Sequence, residues 1–129
     1  MANFSKIENK SNEGIWIDID DATGVQIEGV RIKVRGIDSD VYKKKQRQIT
    51  DKRLGGRKTK ITSAELESEG LSLLSVCVVE WEGVEDDNGL IECTEANVRK
   101  FLTENPFVKE QIDAAIADRA NFIGSFKTV

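Results

Sequence analysis

The loop Asp86-Asp87-Asn88-Gly89 is where this sequence comes nearest to a metal site. An EF-hand loop needs glycine at its sixth position, acid or amide ligands at the first, third and fifth, and a bidentate Glu at the twelfth. Counted from Gly89, the residues Asp86, Asn88 and Glu95 fall on ligand positions, but the first position is Val84, which carries no side-chain oxygen. The turn from Asp20 to Gly24 fails in the same way, with Ile19 in first place. Carboxylates also cluster at Asp18-Asp20-Asp21 and Glu85-Asp86-Asp87. They lie in turns, where burial cannot split their pKa values for acid and base work, so they read as turn formers. Histidine is absent altogether, which removes the commonest general base, the usual partner of a nucleophilic Ser or Cys, and the commonest zinc ligand. Gly55-Gly56 lacks the GxxxxGK[ST] frame of a phosphate-binding loop. Cys77 and Cys93, each beside apolar neighbours, read as small buried hydrophobes rather than a bridge. No enzyme activity, metal or cofactor is expected.

The charge distribution is more informative. Between Lys43 and Lys60 stand Lys43, Lys44, Lys45, Arg47, Lys52, Arg53, Arg57, Lys58 and Lys60, nine cations against the single acid Asp51, a net of +8. The whole chain carries -4, so the remainder carries -12 and the protein is strongly dipolar. Such a stretch serves as a solvated or self-associating surface, as a face for a protein partner, or as a phosphate-neutralising surface for nucleic acid. No aromatic side chains are interleaved for base stacking, which argues against the last.

The elements that position these groups follow from periodicity. Ile15, Ile17 and Ile19 alternate with Trp16, Asp18 and Asp20, and the alternation resumes at Val25 and Ile27 after a turn, which predicts a β-hairpin over 14–36. Parity slips at Glu28-Gly29, so that Val30, Ile32 and Val34 hold the apolar face beyond it; a glycine there predicts a bulge or bend. Asp38-Ser39-Asp40 caps a surface helix from Val41 to Leu54, whose apolar contacts are Val41, Tyr42, Ile49 and Leu54. Thr62-Ser63-Ala64-Glu65 has the form of a capping box, with Ile61 and Leu66 as its staple. The helix it opens carries Leu66, Leu73, Leu74, Cys77 and Trp81 on one face. Thr94 caps a short helix with Val98, Phe101 and Leu102 inside, and Asn105-Pro106 starts another through Val108, Ile112 and Ile116.

The expected fold class is therefore α+β: an N-terminal β-hairpin followed by a mainly helical region, 38–129, of three to four helices. Residues 1–13, with only Phe4 and Ile7 as large apolar groups, read as a flexible lead-in. At 129 residues, 39% hydrophobic and 33% charged, one domain suffices. The polar N-terminus offers neither a secretory apolar region nor a membrane span, so the protein is expected in the cytoplasm.

The string Trp81-Glu82-Gly83-Val84, then Asp87-Asn88-Gly89, Thr94-Glu95-Ala96-Asn97, Phe101-Leu102, Asn105-Pro106 and Ile112 through Ala120-Asn121-Phe122-Ile123 resembles the C-terminal pattern of tail assembly chaperones of long-tailed bacteriophages. In that pattern a Trp-Gly turn and a polar-Gly loop precede two short helices ending in an aromatic. The strand leading to Asp38-Ser39-Asp40 and the basic helix after it look similar to the same family. The resemblance implies a non-enzymatic protein of the host cytoplasm that coats the tape measure protein, helps tail tube subunits gather around it, self-associates, and is absent from the mature virion. It also implies a longer form made by ribosomal frameshifting. A minor structural or completion protein of the tail and a small nucleic-acid-binding accessory protein using 43–60 are the alternatives. The candidate partner surface is Lys43, Lys44, Arg47, Arg53, Arg57 and Lys58 together with Trp81, although Trp81 at the end of an apolar face reads more readily as core.

Overall fold

A computed structural model describes residues 4, 7–56 and 60–124. The first hairpin forms as the alternation predicts. Strands β1 (Ile15–Asp20) and β2 (Gln26–Val34) pair antiparallel, with Ile15 opposite Val34 and Ile17 opposite Ile32. The Asp21 carboxylate closes the turn by accepting from the Thr23 hydroxyl at 2.6 Å, the Thr23 N–H at 2.8 Å and the Val25 N–H at 3.1 Å. The register jumps from Asp18 opposite Arg31 to Asp20 opposite Gln26. The bulge therefore falls where parity slips, with Gly29 at φ +80.

A third strand, β3 (Val78–Glu82), follows directly on a helix and adds to β2, giving an antiparallel sheet in the order β1-β2-β3. This corrects the expectation that the helix runs on through Trp81. Trp81 lies opposite Ile32 in the sheet. The short strands β4 (Glu85–Asp86) and β5 (Gly89–Leu90) make a second hairpin around Asp87-Asn88.

Among the described residues four α-helices complete the fold: α1 (Asp40–Gly55), α2 (Ser63–Cys77), α3 (Glu95–Glu104) and α4 (Pro106–Ala117). With the N-terminal sheet they make an α+β protein. Three start as the sequence predicts: Ser39, Thr62 and Thr94 accept from the N–H groups of Tyr42, Glu65 and Asn97. Asn105 differs. Its amide donates to the Phe101 carbonyl at 2.9 Å, closing α3, and gives α4 no side-chain cap. Pro106 at the first turn makes that tolerable, because one orphan N–H is absent there. Boundaries otherwise move by a residue or two, as with β2 ending at Val34 rather than Gly36.

The core lies between one sheet face and the helices. Ile19, Ile32 and Val34 from the sheet meet Leu74 and Cys77 of α2, Val98 and Leu102 of α3, and Val108, Ile112 and Ile116 of α4. The outer sheet face is a charged ladder, in which Arg31 pairs with Glu82 through two contacts of 3.1 Å and stacks 4.5 Å over the Trp16 ring. Residues 7–13, expected as a loose lead-in, are tied into the body. Lys10 N–H donates to the Phe122 carbonyl at 2.8 Å, Gly36 N–H to Ser11 at 3.2 Å, and the Asn12 side chain accepts from Asp40 N–H at 2.7 Å. This clasp joins the C-terminal turn of the described residues, Arg119–Asn121 with Phe122 after it, to the start of α1.

Candidate functional site

Helix α1 has no buried residue. Its 16 residues hold Asp, Lys, Gln and Arg over most of the circumference, so it cannot be held by an apolar stripe. Tyr42 near its start packs against the core, and α2 is its main neighbour. Arg53 near its end forms a two-contact ion pair with Glu69 of α2. The two helices form an αα-hairpin, anchored at its base and exposed along its outer length: Leu54 is 81% and Leu66 52% exposed.

Lys43, Lys44, Arg47 and Arg53 are all exposed on this helix, as a surface role requires. Arg57 and Lys58, the other cations of the candidate surface, lie outside the described residues. Trp81 is separate. Half-buried on β3, it meets Phe101 edge-on with ring centroids 5.4 Å apart, and its indole N–H donates to the Ile91 carbonyl at 2.8 Å. These contacts place it with the core and not beside the basic helix. Ile61 and Leu66, expected to clamp the capping box, remain 40% and 52% exposed.

Between α1 and α2 runs an open cleft of about 770 Å3. One face of α1 supplies Lys45, Ile49, Lys52 and Arg53 at steps of three and four residues, and α2 with its lead-in supplies Ile61, Glu65, Ser68, Glu69 and Ser72. Arg99 of α3 reaches the far wall and donates to both Ser68 and Ser72. Lys45 and Lys52 form no ion pair among the described residues, whereas Glu69 is held by Arg53. The cleft thus has apolar centres in Ile49 and Ile61 and, among the described residues, a lining of three cations, Lys45, Lys52 and Arg53, and two acids, Glu65 and Glu69. Sequence periodicity identifies the α1 face; the Arg99 contribution crosses 27 and 31 residues and has no local signal.

The groups with chemical potential elsewhere are engaged in structure. Among the described residues no cluster of three His, Cys, Asp or Glu side chains is placed to hold a metal ion. Val84, the misfit in the calcium pattern, is buried, and Asp86 accepts the Asn88 N–H at 2.8 Å to shape its turn. Both cysteines are free thiols. Burial pushes the Cys77 thiol up to about 12, against a smaller opposing effect of its hydrogen bond with Ser39, and burial raises Cys93 as well. Neither is a ready thiolate nucleophile. Among the described residues no helix is long and apolar enough to cross a membrane. Compared with protein-family models, curated proteins and solved structures, the chain matches none.

Proposed function

We propose that this protein is a tail assembly chaperone of a long-tailed bacteriophage, which acts in the host cytoplasm by binding the tape measure protein and promoting tail tube assembly, without catalysis. The observation that carries this reading is α1: a 16-residue helix with no buried residue that displays cations and borders an open cleft. A helix that contributes so little to its own core is suited to a partner. The Trp-Gly turn, polar-Gly loop and paired short helices of the resemblance support the same reading. So does the dipolar charge, which favours encounter with acidic partners or with further copies.

The test is affinity capture of the tagged protein from cells producing phage, with protein analysis of purified particles alongside. The reading predicts that the tape measure protein is captured from lysate and that this protein is missing from the particles. A protein retained in particles, without tape measure capture, would instead be a minor structural component of the tail.

A further inference from the structure

We infer that the cleft between α1 and α2 seats a single amphipathic helix of the client, with the apolar stripe over Ile49 and Ile61 and acidic residues along its flanks. This rests on the chaperone reading for the client's identity, but not for the chemistry of the cleft. Three observations carry it. The space, about 770 Å3 and open to solvent between two helices, suits a row of side chains, as in helix-in-groove recognition. Its apolar groups are incompletely covered: Ile61 is 40% exposed and Ile49 only half-buried. Among the described residues the lining charge leans positive, with Lys45, Lys52 and Arg53 against Glu65 and Glu69. Lys45 and Lys52 stand without acidic partners among the described residues, Arg99 approaches from below through Ser68 and Ser72, and the acid Glu69 is neutralised by Arg53.

An apolar stripe alone would fill the centre and leave those cations unpaired at a solvated rim. Acidic flanks would pair with them and fix the helix against sliding, so charge here sets orientation and selectivity. The stems of Lys45 and Lys52 can lie along an apolar ligand while their ammonium groups meet its carboxylates. A nucleic acid strand would satisfy the cations but leave Ile49 and Ile61 facing a polar backbone, with no aromatic platform beside them.

The test uses the full chain and three labelled synthetic peptides of about four helical turns. The first has a leucine stripe flanked by Glu, the second has the same stripe flanked by Lys, and the third has the composition of the first with the stripe scrambled. Fluorescence anisotropy should show the Glu-flanked peptide binding about tenfold or more tighter than the Lys-flanked one at low salt, with the scrambled peptide failing to bind. In K45E/K52E the order of the two striped peptides should reverse, and Ile61→Ser should weaken both. Absence of binding by the Glu-flanked peptide, equal binding of the scrambled one, or an order unchanged in K45E/K52E overturns the proposal. The peptide comparison on the unaltered chain stands even if a variant misfolds. Displacement of the peptide by a DNA duplex, or by raising the protein's own concentration, would assign the cleft to nucleic acid or to a second copy and also overturns it. Tape measure capture by K45E/K52E separates the two claims: undiminished capture removes the cleft and leaves the chaperone, whereas cleft-dependent peptide binding without tape measure capture does the reverse.

Discussion

Gly83 packs directly on the backbone of Gly29, so closely that a methyl group on Gly83 would overlap the Gly29 carbonyl oxygen. Both residues have positive φ, +76 and +80, the left-handed region that favours glycine. The contact seats the end of β3 against the bulge of β2. It also gives the Trp81-Glu82-Gly83 turn a physical meaning: after Trp81 fills its place in the sheet, the chain must turn past Gly29 at a separation that only glycine allows. Gly83→Ala should cost roughly 3 kcal/mol or more from strain and overlap together, measured by urea unfolding. Gly24→Ala, at φ +87 but with open space around it, should cost about 1 kcal/mol. Equal, small losses at both positions would mean that the contact is not tight.

Trp81 gives a second prediction. Trp81→Phe keeps most of the ring packing against Phe101 but loses the N–H donated to the Ile91 carbonyl, so it should cost about 1 kcal/mol. Trp81→Ala should cost about 3 kcal/mol by removing the ring from the core edge. Both variants, where folded, should bind client as the natural protein does. A selective binding loss at unchanged stability would put Trp81 on the partner surface.

The strand β3 shows where sequence reading reaches its limit. Capping residues, turn residues and the parity slip at Gly29 act locally, so Ser39, Thr62, Thr94 and the Asp21 turn can be read directly from neighbours in the chain. Residues 78–82 cannot. Leu73, Leu74, Cys77 and Trp81 also fit helical spacing, and the preference of Val78 and Val79 for extended backbone is weak beside it. What decides is the open edge of β2, some fifty positions earlier, where Ile32 meets Trp81 and Val34 meets Val78. The candidate site divides in the same way. The cationic face of α1 follows from composition and period, but the cleft exists only because α2 and Arg99 are brought beside it by the fold.

Asp38 and Arg119 tie the base of α1 to the C-terminal turn, with contacts of 2.7 and 3.1 Å. The Arg119 guanidinium holds the Asp38 carboxyl below its ordinary value of 3.8. A depressed carboxylate pKa contributes stability that is fully present above the unfolded value and is lost as pH falls through the folded one. The contribution should thus be intact at neutral pH and fade only in acid below 3.8. Arg119→Gln should lower the melting temperature slightly at pH 7, since the pair is exposed, and the difference from the natural protein should vanish in strong acid. Thermal unfolding at a series of pH values checks this; a difference that grows toward acid would contradict it.

The central claim is that this protein binds the tape measure protein through the α1–α2 hairpin. The most direct measurement is co-expression of the tape measure protein from the same genome with either the natural chain or a variant carrying Lys43→Glu, Lys44→Glu, Arg47→Glu and Lys52→Glu. These side chains are exposed on a helix with no buried residue, so the variant should fold, which circular dichroism verifies. The account predicts that the tape measure protein is soluble and co-purifies with the natural chain, and that both effects fall at least about tenfold with the variant. A tape measure protein that stays insoluble and unbound beside the natural chain would contradict the chaperone claim, and one rescued equally by both chains would move the binding surface off α1.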